Sequence, residues 1–296
     1  MKIISRIIML GILTTSIVLA AAAQAAAQVM IVDRGLPTHN LNNPAGDNRS
    51  NVSWGETDLN YFDGDTFTVP ASGTWKVRTI RLWSVGFYAN NNSILTDDSY
   101  LGDHFGNVSL YVGPVNSSFN RVALASFLPG SDATTNPNVV ATRVQYNGRA
   151  GTELDYGNNG PAGAYTTIVQ IDFKNLNLSF PGGTQVQFGM LTDRDYTLSH
   201  ASNAGLSGSR QDQADNLYRQ FLVNFNPATA TFVTTVDSNA VGWDKSSDIN
   251  VQVFATLVVP GDKDQCKNNS WMTLARANGT SFKNQGDCIQ YVNTGK

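Results

Sequence analysis

The chain has 296 residues with a formal charge of −3. Its twenty Lys and Arg form no clustered basic run, which excludes nucleic-acid binding as a function class. Of its twenty-three acidic residues only Glu56 and Glu153 are glutamates, so side chains that favour turns replace those that favour helices.

The N-terminus reads as a secretory leader. Lys2 and Arg6 precede an uncharged stretch from Ile7 to Ala23, which runs out into alanines and glutamines with small-x-small cleavage positions after Ala23, Ala25 or Ala27. An uncleaved anchor is the competing reading, because the apolar stretch just reaches the roughly 17–25 residues of a span. The alanine-rich exit favours cleavage, with residues 1–27 as signal peptide and a secreted, extracellular mature chain. Losing Lys2 and Arg6 leaves eighteen basic against twenty-three acidic residues, a charge of −5. No later segment approaches a span, so no membrane crossing is expected after cleavage.

From there to Pro260, apolar residues recur with period two in short runs broken by Gly, Pro, Asn, Asp and Ser. In Thr74 to Trp83 the phase flips: Trp75 and Val77 occupy odd positions, Ile80 and Leu82 even ones. Strict alternation cannot change phase without an extra residue or a bend, which predicts a β-bulge near Arg78 and Thr79. Further runs are Val108 to Val112, Tyr165 to Phe173, Leu176 to Phe180 and Val186 to Met190, the last with Gln185 and Gln187 on a wet face. Val251 to Val259 carries apolar groups at every odd position and adds Phe254 and Val258, which predicts a central strand covered on both faces. Eleven to thirteen strands at intervals of ~8–15 residues, with no long helical periodicity, describe an all-β domain, a β-sandwich or jelly roll over residues 28–260.

Two polar stretches, Asn40 to Tyr61 and Thr192 to Asp215, read as long loops of the functional or unordered kind. Trp54 and Tyr61 flank polar sequence and form a candidate ligand-binding platform, since an aromatic ring packs on the apolar face of a sugar while Asn and Asp meet its hydroxyls. Burial of both rings is the competing reading. Calcium is the candidate cofactor, with Asp63 and Asp65 of Asp63-Gly64-Asp65 as metal ligands, because loop carboxylates and carbonyls suit a hard cation. The competing reading is that aspartate caps turns. Catalytic chemistry finds no coherent set: His39, His104 and His200 lie far apart, and Gly205-Leu206-Ser207-Gly208-Ser209 lacks the last glycine of a nucleophile elbow and reads as a loop.

Residues 261–296 form a different unit, a C-terminal appendage that holds the only cysteines, Cys266 and Cys288. In an exported chain these are expected to pair. Helices are expected from Ser270 to Ala277 and from about Gln285 to Asn293, with Trp271, Phe282, Ile289 and Tyr291 as a small apolar cluster.

Asp264-Gln265-Cys266-Lys267, Trp271 and Ser281 to Cys288, followed by Tyr291-Val292, resemble a recurrent Cys-containing C-terminal segment of secreted bacterial proteins of unknown function. The resemblance spans about 31 residues, from Asp264 to Thr294, and Asn269-Ser270 stand where that segment usually has two glycines. Gly64 to Pro70 and Trp75 to Ile80 loosely resemble exported bacterial β-sandwich domains, also of unknown function. Neither resemblance supplies an activity. The functional expectation is an extracellular binding or adhesion module for a glycan or cell-surface component. A structural protein without a small ligand and a polysaccharide hydrolase are the alternatives.

Overall fold

A computed structural model describes residues 27–34, 51–53, 61–88, 93–94, 100–104, 106–115, 117, 119–143, 153–155, 165–193, 203–208, 219–224, 231–237 and 249–296. The leader, Trp54, His39 and His200 lie outside them, as does the stretch between Gln211 and Tyr218. Sixteen strands among the described residues form two antiparallel sheets, more strands than the eleven to thirteen expected. Sheet one takes β1 (Val29–Asp33), β2 (Asn51–Ser53), β4 (Thr74–Tyr88), β5 (Ser93–Ile94), β8 (Val139–Arg143), β9 (Glu153–Asp155), β10 (Tyr165–Phe173), β11 (Leu178–Pro181), β13 (Asn203–Gly208) and β16 (Val251–Leu257). Sheet two takes β3 (Tyr61–Thr68), β6 (Asn107–Pro114), β7 (Asn120–Ser126), β12 (Gln185–Asp193), β14 (Arg219–Asn224) and β15 (Thr231–Asp237), in the order β15-β14-β3-β12-β6-β7.

The 15-residue β4 organises sheet one, and its sequence, rich in β-branched and aromatic residues and free of proline, suits that length. Along one edge it pairs first with β11 and then with β10; along the other it pairs with β16 and then β13. The predicted phase change is a bulge at Arg78. Phe254 pairs with Thr79 and Ala255 with Val77, so Arg78 is the extra residue. Both Val77 and Ile80 consequently face the core, each 0% exposed. The partner strand changes at the same place, where the chain between β10 and β11 turns at Asn175 with φ of 55° and Leu176 N–H bonds Arg78 C=O.

The core lies between the sheets. Val77, Ile80 and Leu82 of β4, Ile171 and Phe173 of β10 and Val251 and Val253 of β16 meet Phe67, Val108, Leu110, Val186 and Phe188 of sheet two. Phe67 and Phe188 are neighbours across the β3–β12 pair, with ring centroids 6.0 Å apart. Burying each such side chain contributes ~1.5–3 kcal/mol. β16 is flanked by β1 and β4 as expected of a central strand, although its even positions are half-buried rather than fully covered.

Three expectations need correction. Gly205 to Gly208 is not loop: it lies in β13, which pairs with β2 and with β4, so both long polar stretches contain sheet. Of the two glutamines expected on a wet face, Gln185 is exposed but Gln187 is buried, as is Thr66 opposite it. The helix expected from Ser270 to Ala277 is only a 3-10 turn over Ser270–Thr273, preceded by Asn268 and Asn269 in left-handed backbone (φ 52° and 64°). Asparagine tolerates that region where most residues do not. The second helix matches its expectation: α2 follows the short α1 (Leu101–His104), spans Gln285–Thr294, and is capped by Asn284, whose side chain accepts from Asp287 N–H.

Cys266 and Cys288 are disulfide-bonded. Around the bond lie Leu274 and Phe282, with Trp271, Ile289 and Tyr291 packed against them as expected, and with Val258 reaching in from the end of β16. Arg276 ties this unit together: its guanidinium lies 4.9 Å from the Phe282 ring and 5.9 Å from the Tyr291 ring and is paired with Asp287 at 2.7 Å. The tail meets the sandwich at the turn before β4, where Thr74 Oγ1 donates to Thr273 C=O at 2.6 Å. Gly73 has φ of +72°, and a Cβ there would stand 2.8 Å from Ala275 Cβ and from Leu257 Cδ1.

Candidate functional site

Among the described residues no three His, Cys, Asp or Glu side chains form a metal-binding group, and no helix is long and apolar enough to cross a membrane. Asp65 sits in β3 with 0% exposure and is held by protein groups at both carboxylate oxygens. Oδ2 accepts from Arg34 Nη1 at 2.7 Å and from Ile249 N–H at 2.9 Å, and Oδ1 from Thr66 N–H at 2.6 Å. Arg34 also donates to Thr66 C=O, while its own C=O accepts from Asn250 Nδ2. This buried pair bridges the end of β1 to the opposite sheet, and a calcium ion at Asp65 would have to displace Arg34. The Asp63 and Tyr61 side chains lie outside the described residues, as does Trp54.

A different set of polar groups converges on the outer face of sheet one. Strict alternation about the core residues Ile80, Leu82, Ile171, Phe173, Val251 and Val253 turns Arg81, Asp172 and Gln252 outward. The register then aligns them: Asp33 opposite Gln252, Gln252 opposite Arg81, Arg81 opposite Asp172. Four neighbouring strands thus contribute one residue each to a single cross-strand row.

Arg81 is its centre. Nε and Nη2 donate to the two Asp172 oxygens at 2.6 and 3.1 Å, and Nη1 donates to Gln252 Oε1 at 3.1 Å. Gln252 Nε2 passes the chain on to Asp33 Oδ1 at 3.0 Å, and Gln170 Nε2 donates to Asp172 Oδ1 at 3.3 Å. Lys174 Nζ lies 3.9 Å from Asp172. The hydrogen bond with Asp172, reinforced by its charge, pushes the Arg81 pKa above its ordinary value against the opposing effect of burial, so the guanidinium stays charged. The guanidinium also lies 5.5 Å from the Phe254 ring. With 8% of the Asp172 side chain exposed but 28% of Arg81, the aspartate is covered while the arginine side chain remains partly open to solvent.

The row offers donors, acceptors and an apolar ring on a rigid sheet surface, the equipment needed to hold a hydroxyl-rich ligand. Sequence reasoning overlooked it. The available signal was a charged or amide residue in the outward phase at the middle of three apolar strands, as in Ile80-Arg81-Leu82, Ile171-Asp172-Phe173 and Val251-Gln252-Val253.

No family model matches the chain, and no curated protein matches it. A solved structure of the cysteine protease and lectin-like domains of Cwp84, a surface layer associated protein of Clostridium difficile, is similar at a TM-score of 0.33 and 10% identity, over 67% of this chain and 32% of that one. The chain therefore spans about a third of that neighbour, and a likeness this weak bears on no functional conclusion.

Proposed function

We propose that the protein is an exported, extracellular binding module that recognises carbohydrate on the outer face of sheet one. The observation that carries this reading is the row Asp33, Gln252, Arg81, Asp172, made continuous by hydrogen bonds across four strands beside the Phe254 ring. Cross-strand pairs contribute only ~0.2–1 kcal/mol each, and a covered ion pair such as Arg81–Asp172 is weak evidence of net stabilisation, so stability alone is a weak reason for ordering the row. A polar row next to an aromatic ring matches what a pyranose presents, hydroxyls at its rim and an apolar face. The disulfide and the N-terminal leader pattern support an oxidising compartment outside the cytoplasm. Trp54 and Tyr61 belong to the same reading as an additional stacking platform.

A glycan array probed with the mature protein tests the proposal. Binding to a defined set of polysaccharides that disappears in Arg81→Ala is the expected result. An array that stays blank, or binding indifferent to Arg81→Ala, rejects it.

A further inference from the structure

The outer face of sheet one is cationic along the first half of β4, although the chain as a whole is acidic. Trp83 is fully enclosed, so the open part of the face runs from Arg81 back toward the start of the strand. Lys76 stands there, half-buried, between the inward Trp75 and Val77, with Thr256 and Ser179 opposite it on the neighbouring strands. The bulge adds a second cation. Arg78 and Arg81 are three residues apart and would point to opposite faces of an unbroken strand. With Val77 and Ile80 both facing the core, the extra residue keeps Arg78 out of it and on the side of Lys76 and Arg81. Lys174 is the fourth, 43% exposed, with Nζ 3.9 Å from Asp172.

Against these four cations the described residues of this face set two carboxylates, Asp172 and Asp33. Asp172 is covered and holds Arg81 at both oxygens, and Asp33 accepts from Gln252 at the far edge. Lys76 and Arg78 have no carboxylate partner among the described residues; Arg78 only donates Nη1 to Leu176 C=O, at 3.4 Å. A chain with twenty-three acidic residues thus leaves two cations unmatched beside two that share one aspartate. Crowded like charges oppose the compact state and attract a ligand of the opposite sign.

We propose that this face takes an acidic polysaccharide, with uronate carboxylates on Arg78 and Lys76 and sugar hydroxyls on Gln252 and Asp33. The proposal rests on the carbohydrate reading above and narrows it to uronate-bearing chains. A guanidinium fork matches a carboxylate, and the lysine ammonium supplies a point charge beside it. Asp172 does not oppose such a ligand, because Arg81 already neutralises it. From Lys76 to Arg81 the strand advances about 16 Å, room for several linked sugars rather than one. An excess of only two positive charges suits nucleic acid poorly, since its affinity comes from many phosphate contacts.

The test titrates the mature protein calorimetrically with hexasaccharides of galacturonate, mannuronate and hyaluronan, each beside its neutral, carboxyl-reduced counterpart. At least one acidic hexasaccharide is expected to bind, about tenfold or more tighter than its reduced form, and to weaken steeply as salt rises. Lys76→Gln and Arg78→Gln should each weaken it about fivefold, with Arg78→Lys in between. Should Arg78→Gln disturb the bulge, the Lys76→Gln titration and the reduced sugars decide the matter. Equal affinity for the reduced form, indifference to both substitutions, or equally tight binding of a single-stranded DNA hexamer overturns the acidic preference and leaves the carbohydrate reading standing. So does a glycan array on which only neutral sugars bind, whereas a blank array overturns both.

Discussion

The sandwich and the tail both shelter a dry interior under polar loops, but they do it by different means. In the sandwich, period-two strands from two sheets supply a large apolar surface, and each side chain has neighbours from both sheets. In the tail, the buried apolar cluster is Cys266, Leu274, Phe282 and Cys288, so half of that cluster is the disulfide itself. A segment of this size cannot bury enough area to offset its chain entropy, and the covalent bond takes over the part that apolar surface plays elsewhere. The same interaction should therefore weigh differently in the two regions.

The largest expected effect falls on the sandwich. Asp65→Ala takes the carboxylate away from the buried Arg34 guanidinium, which should cost about 3–5 kcal/mol in urea unfolding of the whole domain. Replacing the pair together by Met and Leu should recover most of that loss, because breaking a buried pair is worse than removing it. Next comes the disulfide. Cys266→Ser with Cys288→Ser should remove about 3 kcal/mol, since the bond closes a 22-residue separation. Here the loss should stay local: hydrogen exchange should accelerate beyond Gly261 while the sandwich melts almost unchanged. If the sandwich loses as much as the tail, the two regions are one cooperative unit and the contrast fails.

The joint between them is probed by Gly73→Ala, which forces a Cβ into Ala275 and Leu257 at a left-handed backbone position. It should cost about 1–3 kcal/mol and loosen the Thr74 to Thr273 contact, read as faster exchange in the tail and at Val258. The smallest effect is on pH. Asp132 is held below the usual carboxylate range chiefly by its hydrogen bonds with Arg143; Asp287 is held there chiefly by the Lys283 N–H and then by Arg276. Carboxylates with depressed folded-state pKa values stabilise fully above their unfolded value and lose that contribution as pH falls through the folded one. Thermal melts should thus be level from pH 7 to about 4 and decline below it. Asp132→Asn should flatten the decline of the sandwich, and Asp287→Asn that of the tail.

How much of this was legible from residues alone depended on whether a feature was local. The bulge at Arg78 was readable because alternation cannot change phase silently, and α2 because its cap and spacing lie within one segment. The disulfide was readable because two cysteines in one short segment, behind a leader-like N-terminus, have few other choices. What escaped needed register. Nothing in Ile171-Asp172-Phe173 says that Asp172 will stand opposite an arginine 91 positions earlier, yet that pairing builds the outer row. Likewise Trp83 is buried, but only the direction of β4 places it on the outer face. The assignment of Asn203 to Gly208 as loop failed for a related reason: glycine- and serine-rich sequence has weak strand propensity, and pairing with β2 and β4 overrides it.

The central claim is that the row on the outer face of sheet one exists to bind and contributes little to folding. Calorimetric titration of a polysaccharide selected by the glycan screen, into wild type and Arg81→Ala with the urea stability of each measured in parallel, tests it most directly. The account predicts that Arg81→Ala abolishes the binding heat, and that Arg81→Ala combined with Asp172→Asn, which leaves no covered carboxylate without its arginine, stays within about 1 kcal/mol of wild type. Undiminished binding by a variant that has lost several kcal/mol of stability would contradict it, and the row would then belong to the fold.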